Sequence, residues 1–315
     1  YKLISLIQDM AEIIFKEAFI KRYEKLTDIN EFREITTKFL RRSIRINTLK
    51  ADVLDIKSRL EKNFTLTKVP WHEDSFFIDG ERRDVGNTIE HSLGYFYIQE
   101  AASLIPPPVL NPDKNDIILD MAAAPGSKTT QLASLMENNG LIIANDIKYD
   151  RLKSLYINLQ RCGVLNTIIT LHDFTKVNDF KFDKILLDAP CSGTGAIRKS
   201  LKTLKMWNPN MIKRISKLQK KLIVTAFENL KENGTLVYST CSLEPEENEA
   251  VINFLLSKYE NAKLEEIKID NIKRSNPILE FEGNFYNKEI KKCLRIWPQD
   301  NNTEGFFVAK ISKLS

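Results

Sequence analysis

Two cysteines occupy positions from which a thiol could act on a bound ligand. Cys191 lies in the turn Asp-Ala-Pro-Cys-Ser-Gly-Thr-Gly, which begins at Asp188, and Cys241 follows the run Val-Tyr-Ser-Thr. Each stands just after a predicted strand, whereas cysteines that serve as small buried hydrophobic residues lie inside apolar runs. A carboxylate and two soft nucleophiles at strand ends therefore indicate covalent chemistry in preference to packing.

The elements that must position these residues are the strands of a parallel sheet. Strands and helices alternate from residue 116 onward, which is typical of a doubly wound α/β fold. We predict strands at 116–121, 141–145, 167–171, 183–188 and 234–240, helices at 127–137, 149–162 and about 209–231, and a last strand at 305–311. The fourth and fifth strands are neighbours in such a sheet, so both cysteines should reach one crevice beside Asp188.

A smaller α+β module precedes the sheet. We predict helices at 3–25 and 30–39, a strand within 41–50, a helix at 51–62 and strands at 64–69 and 75–78. The module should end near residue 90, which divides the chain into 1–90 and 91–315. Arginines on its first strand, including Arg45, could lie against a phosphate backbone, although a solvated face is the favoured interpretation. The structure of residues 265–292 is left open.

The first βα turn of the sheet, residues 120–129, has the composition of a ligand-binding loop. Small residues and Gly126 allow a ligand to approach the backbone closely. The turn contains neither GxGxxG nor GxxxxGK[ST], which argues against a dinucleotide or a nucleoside polyphosphate. Asp146 ends the next strand at about the 20-residue spacing of a ribose-binding acid, and Asp173 follows the third strand, within reach of an adenine. We predict S-adenosylmethionine, with acids that merely cap helices as the alternative.

A methyl donor and a thiol at one site suggest a specific reaction. The C5 atom of cytosine is a weak nucleophile, but thiolate addition at C6 gives an enamine whose C5 can attack a sulfonium methyl group. An acid near N3 must stabilise the charge that develops there. A free cysteine has a pKa of ~8.5, so a nearby cation such as Lys128 would favour the thiolate. The residues alone leave open which cysteine attacks.

Several motifs resemble those of the Nop2/Sun family of RNA cytosine-C5 methyltransferases. The matching segments are the two cysteine turns at 188–195 and 238–242, Met-Ala-Ala-Ala-Pro-Gly-Ser-Lys at 121–128, Arg-Ile-Asn-Thr-Leu-Lys at 45–50, Tyr-Ile-Gln-Glu-Ala-Ala-Ser at 97–103, Arg-Ile-Trp-Pro at 295–298 and Gly-Phe-Phe at 305–307. The resemblance implies a class I (Rossmann-like) methyltransferase sheet with an antiparallel last strand. Ser127 stands where the family usually has a second glycine, and no segment resembles the PUA domain of some relatives.

The resemblance also implies roles for individual residues. Cys241 is expected to attack C6, Cys191 to help release the methylated RNA, and Asp188 to contact N3 with Lys128 nearby. Whether Cys191 removes the C5 proton or only assists release stays open. The cofactor site is expected to comprise Ala122, Ala123, Ala124, Pro125, Gly126, Ser127, Lys128, Asp146, Arg151, Asp173 and Asp188.

The distribution of charged residues along the chain indicates what kind of partner the protein binds. The net charge of +5 is mild, but residues 198–221 contain nine Lys or Arg and no Asp or Glu, with Met206 and Trp207 among them. Such a run favours RNA, with lysines on phosphates and an aromatic side chain on a base. The alternative is the solvated face of a helix that packs through Ile212, Ile215, Leu218 and Leu222. We expect tRNA as the substrate, with rRNA second, and residues 1–90 as an RNA-binding module.

Other classes of protein are disfavoured by composition. Four cysteines and three histidines in 315 residues, without metal-ligand spacing, predict neither a disulfide framework nor a zinc site. We see neither a secretory pattern nor a membrane-length apolar run, and a first residue of Tyr suggests a trimmed or processed start. We expect a cytoplasmic monomer that does not bind DNA. A catalytically silent RNA-binding or assembly protein is the alternative from another class, and an amino-group methyltransferase would carry an Asn/Asp-Pro-Pro-Tyr-like turn.

Overall fold

The computed structural model describes residues 15–80, 84–176 and 180–315. Most of the amphipathic helix that we predicted at 3–25 therefore lies outside the described residues, and its described part is helix α1, Glu17–Tyr23.

The N-terminal part forms an antiparallel sheet flanked by short helices. Its further elements are α2 (Ile29–Thr37), β1 (Ser43–Ile46), α3 (Val53–Leu60), β2 (Thr65–Lys68), β3 (Ser75–Asp79), α4 (Ile89–Ser92) and β4 (Phe96–Ile98), with the strand order β2-β3-β1-β4. Asp28 and Asp52 cap α2 and α3 by accepting hydrogen bonds from backbone N–H groups. Strand β4 pairs with β1 although it lies after residue 90. A division of the chain at residue 90 stays a prediction.

The remaining residues build one large mixed sheet with helices on both faces, and a separate two-stranded sheet within residues 280–285. The elements are α5 (Pro106–Leu110), β5 (Ile117–Asp120), α6 (Ser127–Leu135), β6 (Leu141–Asn145), α7 (Tyr149–Cys162), β7 (Thr167–Thr170), β8 (Phe182–Asp188), α8 (Lys202–Met206), α9 (Pro209–Glu228), β9 (Leu230–Thr240), α10 (Glu249–Lys258), β10 (Ala262–Glu265), β11 (Glu280–Phe281), β12 (Asn284–Phe285), β13 (Leu294–Ile296), α11 (Pro298–Asn301) and β14 (Phe306–Lys313).

The order of the large sheet is β10-β14-β9-β8-β5-β6-β7, and β13 also pairs with β14. Strands β9, β8, β5, β6 and β7 run parallel, whereas β14 is antiparallel to β9. The predicted doubly wound methyltransferase sheet with an antiparallel last strand is therefore confirmed. The five parallel strands that we predicted each begin or end within four residues of their observed bounds.

Strand β8 shows why the sequences of the central strands are largely apolar. Ile185 and Leu187 pack against α9 and α10 on one face of the sheet, in a core that includes Ile223. Leu186 points to the other face and packs with Leu132 of α6. A parallel strand covered by helices on both faces buries apolar side chains on both, so the central part of its sequence lacks polar alternation.

The interpretation of the first strand was wrong for Arg45, although Arg41 and Arg42 just before the strand are exposed. Every residue of β1 is buried, and the Arg45 side chain is 2% exposed. Its guanidinium donates to Gln99 Oε1 at 3.0 Å and to Thr130 Oγ1 at 2.8 Å. Strand β1 lies between β3 and β4, and one of its faces meets α6, so Arg45 is neither solvated nor available to a phosphate. It joins the small sheet to the large one.

Residues 265–292, whose structure the sequence left open, contain mainly irregular chain with the β11–β12 hairpin and a 3-10 helix at Lys288–Lys292. Arg274 donates to the carbonyl oxygens of Ile267 at 2.9 Å and Cys293 at 2.8 Å. Bonds from one side chain to distant carbonyls have no periodic signature in a sequence.

Candidate active site

The two cysteine turns lie side by side because β8 and β9 are parallel neighbours. Asp188 at the end of β8 is in register with Ser239 near the end of β9. The chain beyond each strand therefore turns at the same edge of the sheet. Cys191 Sγ and Cys241 Sγ are 3.2 Å apart, and both cysteines are partly exposed.

The turns also contact each other through the backbone. The Gly195 N–H donates to the Cys241 carbonyl at 2.9 Å, and the Gly305 N–H donates to the Gly195 carbonyl at 3.0 Å. A Cβ atom on Gly195 would lie 2.2 Å from the Gly305 oxygen and 2.8 Å from the Cys241 oxygen. Hydroxyl groups also connect the two turns, since Ser192 Oγ and Ser242 Oγ are 3.1 Å apart. Only glycine permits this approach at position 195.

The thiol of Cys191 is held in its protonated form. The hydrogen bond with Cys241 and burial both raise the pKa of Cys191 well above its ordinary value, and the charges of Glu247 and Asp188 act in the same direction. The Cys191 thiol can therefore donate a proton to the Cys241 sulfur, which lies 3.2 Å away.

Cys162 and Cys293 are buried elsewhere in the fold. Burial raises the pKa of each thiol.

An ion pair lies beside the thiols. Lys128 Nζ is 2.7 Å from Asp188 Oδ2 and 2.9 Å from Ser103 Oγ, while Asp188 Oδ1 accepts from Ser239 Oγ at 2.8 Å. Burial lowers the pKa of Lys128, but the attraction of the Asp188 carboxylate outweighs it and the pKa is raised. The Lys128 ammonium also lies 5.6 Å from the centre of the Phe306 ring. Lys128 is thus a fixed positive charge at the thiol pair.

The predicted cofactor residues gather at the ends of β5 and β6. Gly126 has φ +106°, a conformation that side chains strongly disfavour, at the start of α6. The buried carboxylate of Asp146 accepts from the Lys148 N–H at 3.0 Å and lies 3.0 Å from Arg151 Nη1. Arg151 also donates to the Ala124 carbonyl oxygen, which ties Asp146 to the β5–α6 turn.

Two more acids lie at or just beyond strand ends of the sheet, Asp120 at the end of β5 and Asp173 after β7. Asp173 accepts from the backbone N–H and the hydroxyl of Thr175, and these bonds lower its pKa. Asp120, which the sequence did not single out, is buried beneath the turn and accepts from Thr129 Oγ1 at 2.7 Å. Burial raises the pKa of Asp120 to about 7.

The donor set fits a nucleoside that carries an amino-acid tail. The N-cap of α6 is Gly126, which has no side chain to cap the helix, so the first-turn N–H groups are available to a carboxylate. Asp146, at the end of the adjacent parallel strand, presents a carboxylate of the kind that accepts from ribose hydroxyls. The groups present are therefore those that S-adenosylmethionine requires.

The interpretation of Trp207 as a base-stacking residue was wrong. Trp207 is 2% exposed and donates from Nε1 to the buried Glu244 carboxylate at 2.9 Å. It packs with Phe19 of α1, so tertiary packing outweighs its basic sequence context. Met206 beside it is 64% exposed. Of the residues that the alternative interpretation placed against the sheet, Leu218 is also exposed, whereas Ile212 is buried.

Some residues of the site were not identified from the sequence. Ser103 and Ser239 fix Lys128 and Asp188, and both lie inside motifs whose individual members we did not assign. Glu247 is buried and accepts from the Ser192 N–H at 2.9 Å. Its only sequence signal is its place six residues after Cys241, in a turn rich in acids.

Comparison with known proteins places the chain in a family. Residues 107–312 match the family described as 16S rRNA methyltransferase RsmB/F, and residues 15–101 match the N-terminal domain of 16S rRNA methyltransferase RsmF. The chain belongs to the RsmB/F family. Membership confirms the resemblance to RNA cytosine-C5 methyltransferases and the enzyme class that it implied. The roles of individual residues stay predictions.

Relatives of this RsmB/F family member act on different RNAs. It is 50% identical over 297 residues to the tRNA (cytosine(49)-C(5))-methyltransferase of Pyrococcus abyssi, an alignment that covers 93% of this chain and 95% of the relative. It is 43% identical over 315 residues to ribosomal RNA small subunit methyltransferase F of Vibrio cholerae, which covers 96% of this chain. The match spans only 65% of that longer relative.

Solved structures of similar proteins share the whole fold. A methyltransferase homolog protein from Pyrococcus horikoshii superposes with a TM-score of 0.85 at 39% identity, covering 98% of this chain and 99% of that one. NSun6 from Pyrococcus horikoshii with SFG has a TM-score of 0.83 at 26% identity, covering 96% of this chain and 99% of that one.

In the described residues, no helix is both long and apolar enough to cross a bilayer.

Proposed function

We propose that this RsmB/F family member methylates C5 of a cytosine in tRNA, with S-adenosylmethionine as the methyl donor. The observation that carries the proposal is the thiol pair, 3.2 Å apart, next to the Lys128–Asp188 ion pair at the carboxyl edge of the sheet. An RNA-binding or assembly protein on this fold would need neither the thiols nor the ion pair.

Cys241, Asp188 and Lys128 have different roles in the addition of the thiolate to C6. The Cys241 thiolate adds to C6 of the cytosine, and the electron density moves towards N3. Asp188, fixed by Ser239 and Lys128, contacts N3, and the positive charge of Lys128 stabilises the charge that develops there. S-adenosylmethionine, when bound, supplies the electrophilic methyl group that C5 attacks. Cys191 then takes part in release.

We propose the β5–α6 turn and its surroundings as the cofactor site. The backbone from Ala122 to Lys128 would hold the amino-acid tail, and Asp146, positioned by Arg151, would accept from the ribose hydroxyls. Asp173 would lie at the adenine, and Asp188 would face the sulfonium end.

The basic run offers a surface for RNA backbone. Lys213, Lys217 and Lys220 line a groove between α9 and the β11–β12 hairpin, whose Phe285 is 72% exposed. Lysines neutralise phosphates and an exposed aromatic ring can stack on an unpaired base. The helix that carries these lysines also contacts the Cys191 turn, since Gln219 donates to the Pro190 carbonyl at 2.9 Å.

The choice of tRNA has support from sequence identity. The Pyrococcus abyssi relative, named for tRNA, is 50% identical to this chain, whereas the rRNA relative from Vibrio cholerae is 43% identical. Ribosomal RNA is the second candidate, because residues 15–101 match a domain named for an rRNA enzyme. We propose that the protein acts on tRNA as a cytoplasmic monomer.

The test is methyl transfer to total tRNA and to total rRNA, followed by bisulfite mapping of the products. We expect new 5-methylcytosine in tRNA with the wild-type protein and none with Cys241→Ala. Cys162→Ala, which removes a buried thiol outside the site, should methylate like the wild type. Labelling of rRNA alone would contradict the tRNA assignment, and methylation by Cys241→Ala would contradict the mechanism.

A further inference from the structure

The residues on both sides of Cys191 are tied to one buried pair of side chains. The Ser192 N–H donates to Glu247 Oε2 at 2.9 Å. Gln219 Nε2 donates to the Pro190 carbonyl at 2.9 Å and to the same Glu247 oxygen at 3.1 Å. The pair therefore fixes the backbone immediately before and after the thiol.

Glu247 is an unusual residue for this position. Both Glu247 and Gln219 are fully buried, and Glu247 Oε1 has no hydrogen-bond partner among the described residues. Burying a carboxyl group without full pairing costs free energy, whereas an apolar residue of similar size would avoid that cost. Tyr238 fixes the backbone of this residue, since its hydroxyl donates to the main-chain carbonyl of Glu247 at 2.6 Å.

The next residue, Asn248, holds the other thiol turn. Asn248 Oδ1 accepts from Thr240 Oγ1 at 2.6 Å, and Asn248 Nδ2 donates to the Ser242 carbonyl at 2.8 Å. Thr240 and Ser242 flank Cys241 as Pro190 and Ser192 flank Cys191. Two consecutive side chains thus anchor the two thiols separately.

We propose that Glu247, with Gln219, is a positioning residue for Cys191 that acts in release of the methylated RNA and not in attack on C6. This inference rests on the proposed function, because it assigns a step to the same site. Asn248 supplies the corresponding support for Cys241 and hence for attack.

The release step requires Cys191 to stay close to Cys241. The C6–Sγ bond to Cys241 breaks, its electron pair stays on that sulfur, and the Cys191 thiol donates its proton there across 3.2 Å. The resulting Cys191 thiolate takes the proton from C5, and the C5–H electron pair forms the C5=C6 double bond. Both cysteines end as thiols. A displaced Cys191 would stop this exchange while leaving addition intact.

The test compares Glu247→Ala with Asn248→Ala, using tRNA and S-adenosylmethionine with each purified full chain. We expect Glu247→Ala to lose about 10²-fold in turnover and to accumulate a covalent protein–RNA adduct on denaturing gels, as Cys191→Ala should. Its rate of adduct formation in a single turnover should stay near that of the wild type. Asn248→Ala should instead lose adduct formation and turnover together.

Three further variants separate positioning from general damage. Glu247→Gln still offers an oxygen to the Ser192 N–H and should recover most of the turnover. Gln219→Met keeps the volume but removes the donor, so a smaller accumulation of adduct is expected even if Glu247→Ala fails to fold. Glu244→Gln changes another buried acid of the same turn, one that pairs with Arg22, and should not trap RNA.

The outcomes distinguish this inference from the proposed function. If Cys191→Ala traps RNA but neither Glu247→Ala nor Gln219→Met does, the positioning role is wrong and the methyltransferase mechanism stands. If Cys191→Ala traps nothing and the wild type does not methylate RNA, the proposed function itself fails.

Discussion

The turns that carry Cys191 and Cys241 look alike in sequence but are held in different ways. The Cys241 turn has bonds within its own segment, since Thr240, Ser242 and Asn248 bond to one another within nine residues of chain, in addition to the bond that its carbonyl accepts from Gly195. Cys191 depends on distant chain, because Glu247 and Gln219 hold its neighbours. The difference suggests that the proposed nucleophile has local support, whereas the second thiol is positioned only by the fold around it.

A substitution where the two turns touch should have the largest effect on this arrangement. A methyl group at position 195 would collide with the carbonyl oxygens of Gly305 and Cys241. We expect Gly195→Ala to lower the free energy of unfolding by about 3 kcal/mol, because backbone atoms must move. Chemical denaturation measures this change.

Gly193 provides the matched control in the same turn. It has φ +70°, but a Cβ atom there would have no heavy atom within 4 Å. Gly193→Ala should therefore lose only the conformational term of about 1 kcal/mol. Equal losses for the two variants would mean that the contact between the turns is not what constrains position 195.

A smaller effect concerns the charge of Glu247 and should appear as a pH dependence of stability. Burial raises the pKa of Glu247 to about 7, although its bond from Ser192 acts in the other direction. The folded protein then holds a proton that the unfolded chain releases above 4.5, the ordinary value. Its contribution to stability therefore falls as the pH rises from about 4.5 to about 7 and is constant above that range.

The substitution Glu247→Gln removes the titrating group at position 247 and leaves the other acids of the turn in place. Relative to the wild type, the free energy of unfolding of Glu247→Gln should increase between pH 5 and pH 7, which means that the variant becomes comparatively more stable. The difference should then level off. Urea denaturation at pH 5, 6, 7 and 8 measures it. A difference between the two proteins that is independent of pH would show that Glu247 is ionised throughout.

The sequence predicted the sheet and the adjacency of the thiols because those depend on local patterns. Apolar runs define the strands, and parallel order brings the turns after β8 and β9 to one edge. Arg45 and Trp207 were misread because each is buried by chain far away in sequence, at α6 and at α1. Glu247 escaped notice for the same reason, since its partners Ser192 and Gln219 precede it by many residues.

The assignment of the two thiols is tested most directly by looking for RNA that stays bound to the protein. Cys191→Ala and Cys241→Ala would each be incubated with S-adenosylmethionine and tRNA, denatured, and separated on a gel. We predict a covalent RNA adduct with Cys191→Ala and none with Cys241→Ala. The reverse pattern would exchange the two roles, and unchanged methylation by both variants would contradict covalent catalysis by this pair.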